Sequence, residues 1–229
     1  MIKPVLAQPA LIDQVHDRLV AAIADGTLAP GEKLTQEDVA EKLGVSRQPV
    51  SHALQLLRRR GLAVERGKRG LVVAPMNPNR LRDLYQLRAA LDGLAASLAA
   101  TRAKAGMLTA SQREDIIALV TQGTEMADRP TEISTLIDAD MAFHAALYEL
   151  SGNQAIVDTA AEQWPHFLRT MGAVLNEMID PDRIWREHKE ILDFILAGDA
   201  KAAEEAARGH AERAGEATAQ KLETMESVA

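Results

Sequence analysis

The stretch TQEDVAEKLGVSRQPVSHALQLLRRRGL, residues 35–62, constrains this chain more than any other. Two short amphipathic segments meet at Gly44, and the second opens on Ser46, Arg47 and Gln48. A tight glycine turn between two such helices predicts a helix-turn-helix, whose second helix offers its N-terminal side chains to base edges and phosphates in the DNA major groove. Thr35 followed by Asp38 resembles a capping box and predicts the start of the first of these helices.

The flanking segments extend this unit. Leu11, Val15, Leu19 and Ile23 recur every four residues and predict a preceding helix over 11–24. Leu28-Ala29-Pro30-Gly31 reads as a turn. After Gly61, two β-prone runs (Leu62 to Arg66 and Leu71 to Ala74) flank Gly67-Lys68-Arg69-Gly70, which predicts a hairpin with a basic tip. Three helices and a hairpin make a winged helix-turn-helix over residues 1–75. Thr35, Ser46, Arg47, Gln48, Ser51, Lys68 and Arg69 are its candidate DNA-contacting residues. Ser46 doubles as a candidate helix cap, and Arg58-Arg59-Arg60 complements the dipole at the second helix's end.

Charge separates this head from the rest. Residues 1–75 hold 11 Lys and Arg against 8 Asp and Glu, whereas the whole 229-residue chain holds 26 against 33, so residues 76–229 are strongly acidic. Only the head is suited to approach phosphates. The chain has no cysteine, which excludes disulfides and thiolate metal sites. Neither a signal peptide nor a membrane-spanning run is evident, and a cytoplasmic protein is expected.

Pro75, Asn77, Pro78 and Asn79 predict a linker over 76–79. Beyond it, helices are expected over 80–105, 111–127, 131–151, 153–177, 182–196 and 199 to about 225, with Pro165 kinking the fourth. The expected class is therefore mainly α: a winged helix-turn-helix followed by an all-α six-helix bundle over 80–229.

Within the bundle, Asp140 and His144 stand four apart and share one helix face, while His188 and His210 lie on two other helices. Three imidazoles and a carboxylate facing a bundle interior suit Zn, Ni, Mn or Fe as divalent ions. From spacing alone, a histidine on an amphipathic helix is more often a surface or hydrogen-bonded residue.

The head resembles the GntR-family winged helix, through GVSRQPVSHAL, Gly61 and Leu62. The remainder resembles the ligand domain called FCD of the FadR subfamily, in its VanR-like six-helix form, through LYQLRAALDGLAASLAA, DADMAFHAALYELSGN, EHKEILDFILAGD and His210. The resemblance implies a divalent metal on Asp140, His144, His188 and His210, with Arg88 and Asp92 at the family's arginine and acidic positions. Arg88 would receive a carboxylate oxygen of an organic-acid effector, with Asn153 and Arg169 as further effector candidates and His166 a core residue. It departs from the family where arginine is common: Ser51 and Glu37 stand there instead.

The function expected is a homodimeric transcriptional regulator, a repressor, whose affinity for double-stranded operator DNA is set by a small carboxylate at the metal site. Alternatives are a directly metal-responsive regulator and a metal-dependent hydrolase or lyase. Asp138 and Glu149, the nearby carboxylates, lie two and nine residues from Asp140 and so turn away from its face, and an enzyme has no use for the head.

Overall fold

The structure, a computed structural model, describes residues 9–67, 70–174 and 180–228. The chain divides into two compact units, Met1–Met76 and Asn77–Ala229.

In the first unit, α1 (Pro9–Ala24), α2 (Gln36–Leu43) and α3 (Arg47–Arg59) accompany a three-stranded antiparallel sheet of order β1-β3-β2, formed by Lys33–Leu34, Leu71–Val73 and Ala63–Glu65 respectively. Val15, Leu19 and Ile23 bury against Val50, Leu54 and Leu57 of α3, as the four-residue period predicts. Leu11, expected on the same face, is 45% exposed, because it sits one turn ahead of the shared core. Strand β1 was not anticipated. It is two residues long and exists only through pairing with β3, in the register Lys33↔Val72 and Leu34↔Leu71.

The turn between α2 and α3 is built as the sequence suggests. Thr35 Oγ1 accepts from Asp38 N–H at 3.0 Å, and Gly44 closes α2 in the left-handed region at φ 65°, where a side chain would be strained. Ser46 occupies the N-cap position of α3, but its hydroxyl makes no capping bond. A full reciprocal capping box lies elsewhere, between Thr109 and Gln112 at the start of the helix Ala110–Ala127.

The second unit holds six described helices: α4 (Pro78–Lys104), α5 (Ala110–Ala127), α6 (Ile133–Ser151), α7 (Gln154–Val174), α8 (Pro181–Ala197) and α9 (Ala200–Val228). Helix α4 starts inside the expected linker: Asn77 Oδ1 accepts from Arg80 N–H at 2.9 Å, and Pro78 enters the first turn, where its missing N–H costs nothing. Helix α7 runs through Pro165, and the expected extension over 175–177 lies outside the described residues.

Helix α4 is central, touching α6, α7, α8 and α9. Ala95, Ala96, Ala99, Ala100 and Ala103 are buried along it and meet the buried Ala203 and Ala207 of α9 in one core. Small side chains let the two backbones approach, which accounts for the richness in alanine. Gly93 continues the contact: a Cβ there would stand 3.3 Å from the Glu204 carbonyl oxygen.

Candidate functional site

Three helices bring four polar side chains to one point in this bundle. Asp140 and His144 come from α6, His188 from α8 and His210 from α9; all four are buried, and one ligand atom from each lies within 4.8 Å of every other. The imidazoles converge through Nε2. His188 Nε2 stands 3.3 Å from His210 Nε2 and 3.4 Å from Asp140 Oδ1, and His144 Nε2 is 3.7 Å from that same oxygen.

Neighbouring groups fix each ring. His210 Nδ1 is 2.7 Å from Glu187 Oε2, and Glu187 also accepts from Arg213 Nε at 3.0 Å. His144 Nδ1 is 3.3 Å from Asp92 Oδ2, while Tyr148 donates its hydroxyl to Asp92 Oδ1. His188 is clamped by rings: Phe143 stacks on it with centroids 4.0 Å apart, and Trp185 meets it edge-on at 4.8 Å. Trp185 reaches this position across Gly123, where a Cβ would stand 2.2 Å from its ring. Carboxylates behind ring nitrogens set the tautomer so that the opposite nitrogen presents a lone pair, the usual outer shell of a metal-binding histidine.

Arg88 completes the cluster. Its side chain is 3% exposed, its Nε lies 3.4 Å from Asp92 Oδ2 and its Nη2 3.8 Å from Asp140 Oδ2. The guanidinium also sits 5.3–5.5 Å from the ring centroids of Tyr85, Trp164 and Phe167, a favourable cation–π setting. Burial penalises its charge, yet Asp92 and Asp140 outweigh that and hold it protonated. Burial would likewise raise the Asp92 carboxyl, but His144, Arg88 and Tyr148 together bring it below the usual range. Burial, reinforced by neighbouring positive charge, lowers His144 and takes His188 well below an ordinary histidine, which leaves their rings neutral and able to donate to an ion.

The donor set fits a metal. Three of the ligand-atom separations, 3.3–3.7 Å, lie at or just beyond the roughly 3–3.4 Å expected when bonds of about 2.0–2.1 Å meet at one centre, and the whole set stays within 4.8 Å. His144 Nε2 and Asp140 Oδ2 are buried without a hydrogen-bond partner, a costly state unless something else satisfies them.

A cavity of about 70 Å³ opens beside this cluster, with Arg88, Asp140, His210 and Glu187 among its walls. Two expected effector residues are not in that wall. Asn153 caps the start of α7, accepting from Ala155 N–H at 3.1 Å, whereas the cavity meets α7 at Met171 and Val174, about 27 Å further along the helix. Arg169 is half-buried on α7, and burial lowers its pKa. His166 is buried, as expected. Glu187, Tyr148 and Tyr85 were not anticipated. The rule that a ligand histidine takes a carboxylate behind it points toward an acidic neighbour of His188, but only the packing of α8 on α9 separates Glu187 from Glu190.

In the first unit, Ser46, Arg47 and Gln48 are exposed at the start of α3. Arg47 donates to Glu37 of α2 at 2.5 Å, and half-buried Ser51 accepts from Gln36 at 3.3 Å. A groove runs between α2, α3 and the hairpin, lined by Lys33, Thr35, Glu37, Arg47 and Arg58 among others. Lys68 and Arg69 lie outside the described residues.

Residues 11–73 match the family described as bacterial regulatory proteins, gntR family, and residues 83–213 match the FCD domain. An uncharacterized HTH-type transcriptional regulator in an unstable DNA locus of Streptomyces ambofaciens is 33% identical over 80% of this chain and 74% of its own length. The Glc operon transcriptional activator of Escherichia coli is 28% identical over 87% of this chain and 85% of its own. Among solved structures, E. coli McbR/YncC shares the fold with a TM-score of 0.75 at 20% identity, covering 97% of this chain and all of that one. These relatives are regulators and not enzymes, and no described helix is long and apolar enough to cross a membrane. The chain belongs to the GntR family of DNA-binding transcriptional regulators, with an FCD domain as its second unit.

Proposed function

We propose that this protein is a cytoplasmic, homodimeric repressor whose affinity for operator DNA is controlled by a small organic acid held at a divalent metal in the FCD unit. The observation that carries the reading is the convergence of Asp140, His144, His188 and His210 beside a cavity that also exposes Arg88. Those four residues would hold the ion, which supplies a Lewis-acidic anchor for a carboxylate oxygen. Arg88 offers a second, planar anchor already fixed by Asp92 and three aromatic rings. Asp92 and Glu187 keep two of the imidazoles turned toward the site.

In the first unit, Arg47 contacts phosphate or guanine, Gln48 a base edge and Ser46 a phosphate. Thr35 and Ser51 serve more to hold α2 and α3 in place. One recognition helix reads few base pairs, so two heads on a two-fold operator are needed for specificity. A stripe on α4 supports dimerisation: Leu87 and Leu94 are 41% and 46% exposed, with Leu91 half-buried between them, an apolar surface that a second copy would cover. The acid changes operator affinity by binding one arrangement of the dimer better than another.

His188→Ala tests the central claim. The variant is expected to lose most of about one bound metal per subunit and its response to acids, while the dimer and its basal operator binding persist. A folded variant with full metal content would overturn the ligand set. Operator release by metal alone, with no acid, would favour direct metal sensing.

A further inference from the structure

We infer that the effector is an acid with an apolar body, an aliphatic or aromatic monocarboxylate, rather than a hydroxy or sugar acid. This rests on the acid-and-metal reading above and narrows it.

The ion-cluster groups Arg88, Asp140 and His210 stand together in the cavity wall, and Tyr85, Thr218 and Lys221 are further polar groups among its described residues. On α9 its wall residues His210, Ala214, Ala217, Thr218 and Lys221 follow one another over about 16 Å. His210 belongs to the ion cluster, so a carboxylate seated there lays its remaining atoms along Ala214 and Ala217. The wall also includes Met171 and Val174 of α7 and Ile184 of α8. None of these five side chains has a hydrogen-bonding group to offer a ligand hydroxyl.

Most polar side chains that border this stretch are already engaged, Thr218 by donating its hydroxyl to the Ala214 carbonyl oxygen at 2.7 Å. Asp180 caps α8 by accepting from Arg183 N–H at 3.0 Å, Arg183 pairs with Glu187 at 3.4 Å, and Glu187 is held by His210 and Arg213. A hydroxyl buried without a partner weakens binding about 5- to 150-fold, whereas each buried methylene strengthens it about 4-fold.

The discriminating pair is hexanoate and gluconate, which share a carboxylate and a six-carbon length and differ in hydroxylation. Calorimetry on the metal-loaded dimer is expected to give hexanoate at least 10-fold tighter binding, with phenylacetate on the same side. Ala214→Leu, which fills the apolar stretch, should weaken hexanoate at least 10-fold with metal content unchanged; Ala217→Leu repeats the test should that variant fail to fold. Gluconate binding as tightly as hexanoate, lost on chelation of the metal, would overturn the apolar class and leave the acid-at-metal reading standing. Binding of neither acid, or binding indifferent to chelation, would overturn that reading as well.

Discussion

The reading surface of the first unit and the ligand site of the second handle charge in opposite ways. In the first, Arg47 and Glu37 pair at 2.5 Å with 65% and 70% of their side chains exposed, and Arg58 with Glu65 is much the same. In the second, Arg88, Asp92 and His144 interact with side chains only 3%, 1% and 1% exposed. An exposed pair is worth about 0–1 kcal/mol, because water and salt compete for both partners. It separates readily, so Arg47 remains available to DNA. A buried cluster is different: removing one member strands the others in a medium that cannot solvate them. The reading surface is made of replaceable contacts, and the ligand site of contacts that must be satisfied together.

The largest effect should come from breaking the buried cluster. Asp92→Ala leaves Arg88 and His144 without their shared carboxylate and Tyr148 without its acceptor, and is expected to destabilise the FCD unit by about 3–5 kcal/mol. Urea denaturation measures this. Glu37→Ala, the matching change in the head, should move stability by no more than about 0.5 kcal/mol. Equal losses would erase the contrast between the units.

Next comes the reader itself. Arg47→Ala should weaken operator binding by about 1–3 kcal/mol, read by fluorescence anisotropy, with the unfolding midpoint and metal content unchanged. An unaltered operator affinity would remove Arg47 from the contacts. Glu37→Gln sharpens the point in the other direction. It deletes a negative charge facing the phosphates and releases Arg47 from its partner, so operator binding should tighten about 3- to 10-fold at low salt, and the gain should shrink as salt rises. Weakened binding would instead mean that Glu37 positions Arg47 for its contact.

These differences track what was legible in the sequence. The helix-turn-helix is local: Thr35, Gly44 and the apolar period of α3 act within a few residues of one another, so pattern alone recovers them. Asp140 and His144 are legible for the same reason, at one helical turn. His188 and His210 are joined to them only by tertiary packing: residue type made them candidates, and the family resemblance gave the set its weight. Neither pattern nor resemblance reached Glu187, which acts on a residue 23 positions away, or Tyr148, 56 positions from Asp92. Strand β1 was missed because its pairing to β3 crosses two helices, and the sequence left Asn153 open between helix cap and ligand contact because both use the same amide oxygen.

The smallest expected effect lies between the two extremes of exposure. Arg82 of α4 is 27% exposed and clasps two carboxylates of α9, donating to Glu216 at 3.1 Å and to Glu223 at 2.7 Å. Both carboxyls are held below their ordinary value of 4.5, first of all by hydrogen bonds from Arg82. A carboxylate whose folded pKa is depressed adds stability that is fully present above its unfolded pKa and is lost as pH falls through the folded one. The tie between α4 and α9 should therefore hold at neutral pH and loosen only in acid. Arg82→Gln should lower Tm by a constant amount above about pH 5, and the gap to the parent should close as pH drops below 4.5. A gap that persists in acid would mean that Arg82 stabilises α4 against α9 by packing its aliphatic stem, and that this site behaves like the buried cluster and unlike the exposed pairs of the head.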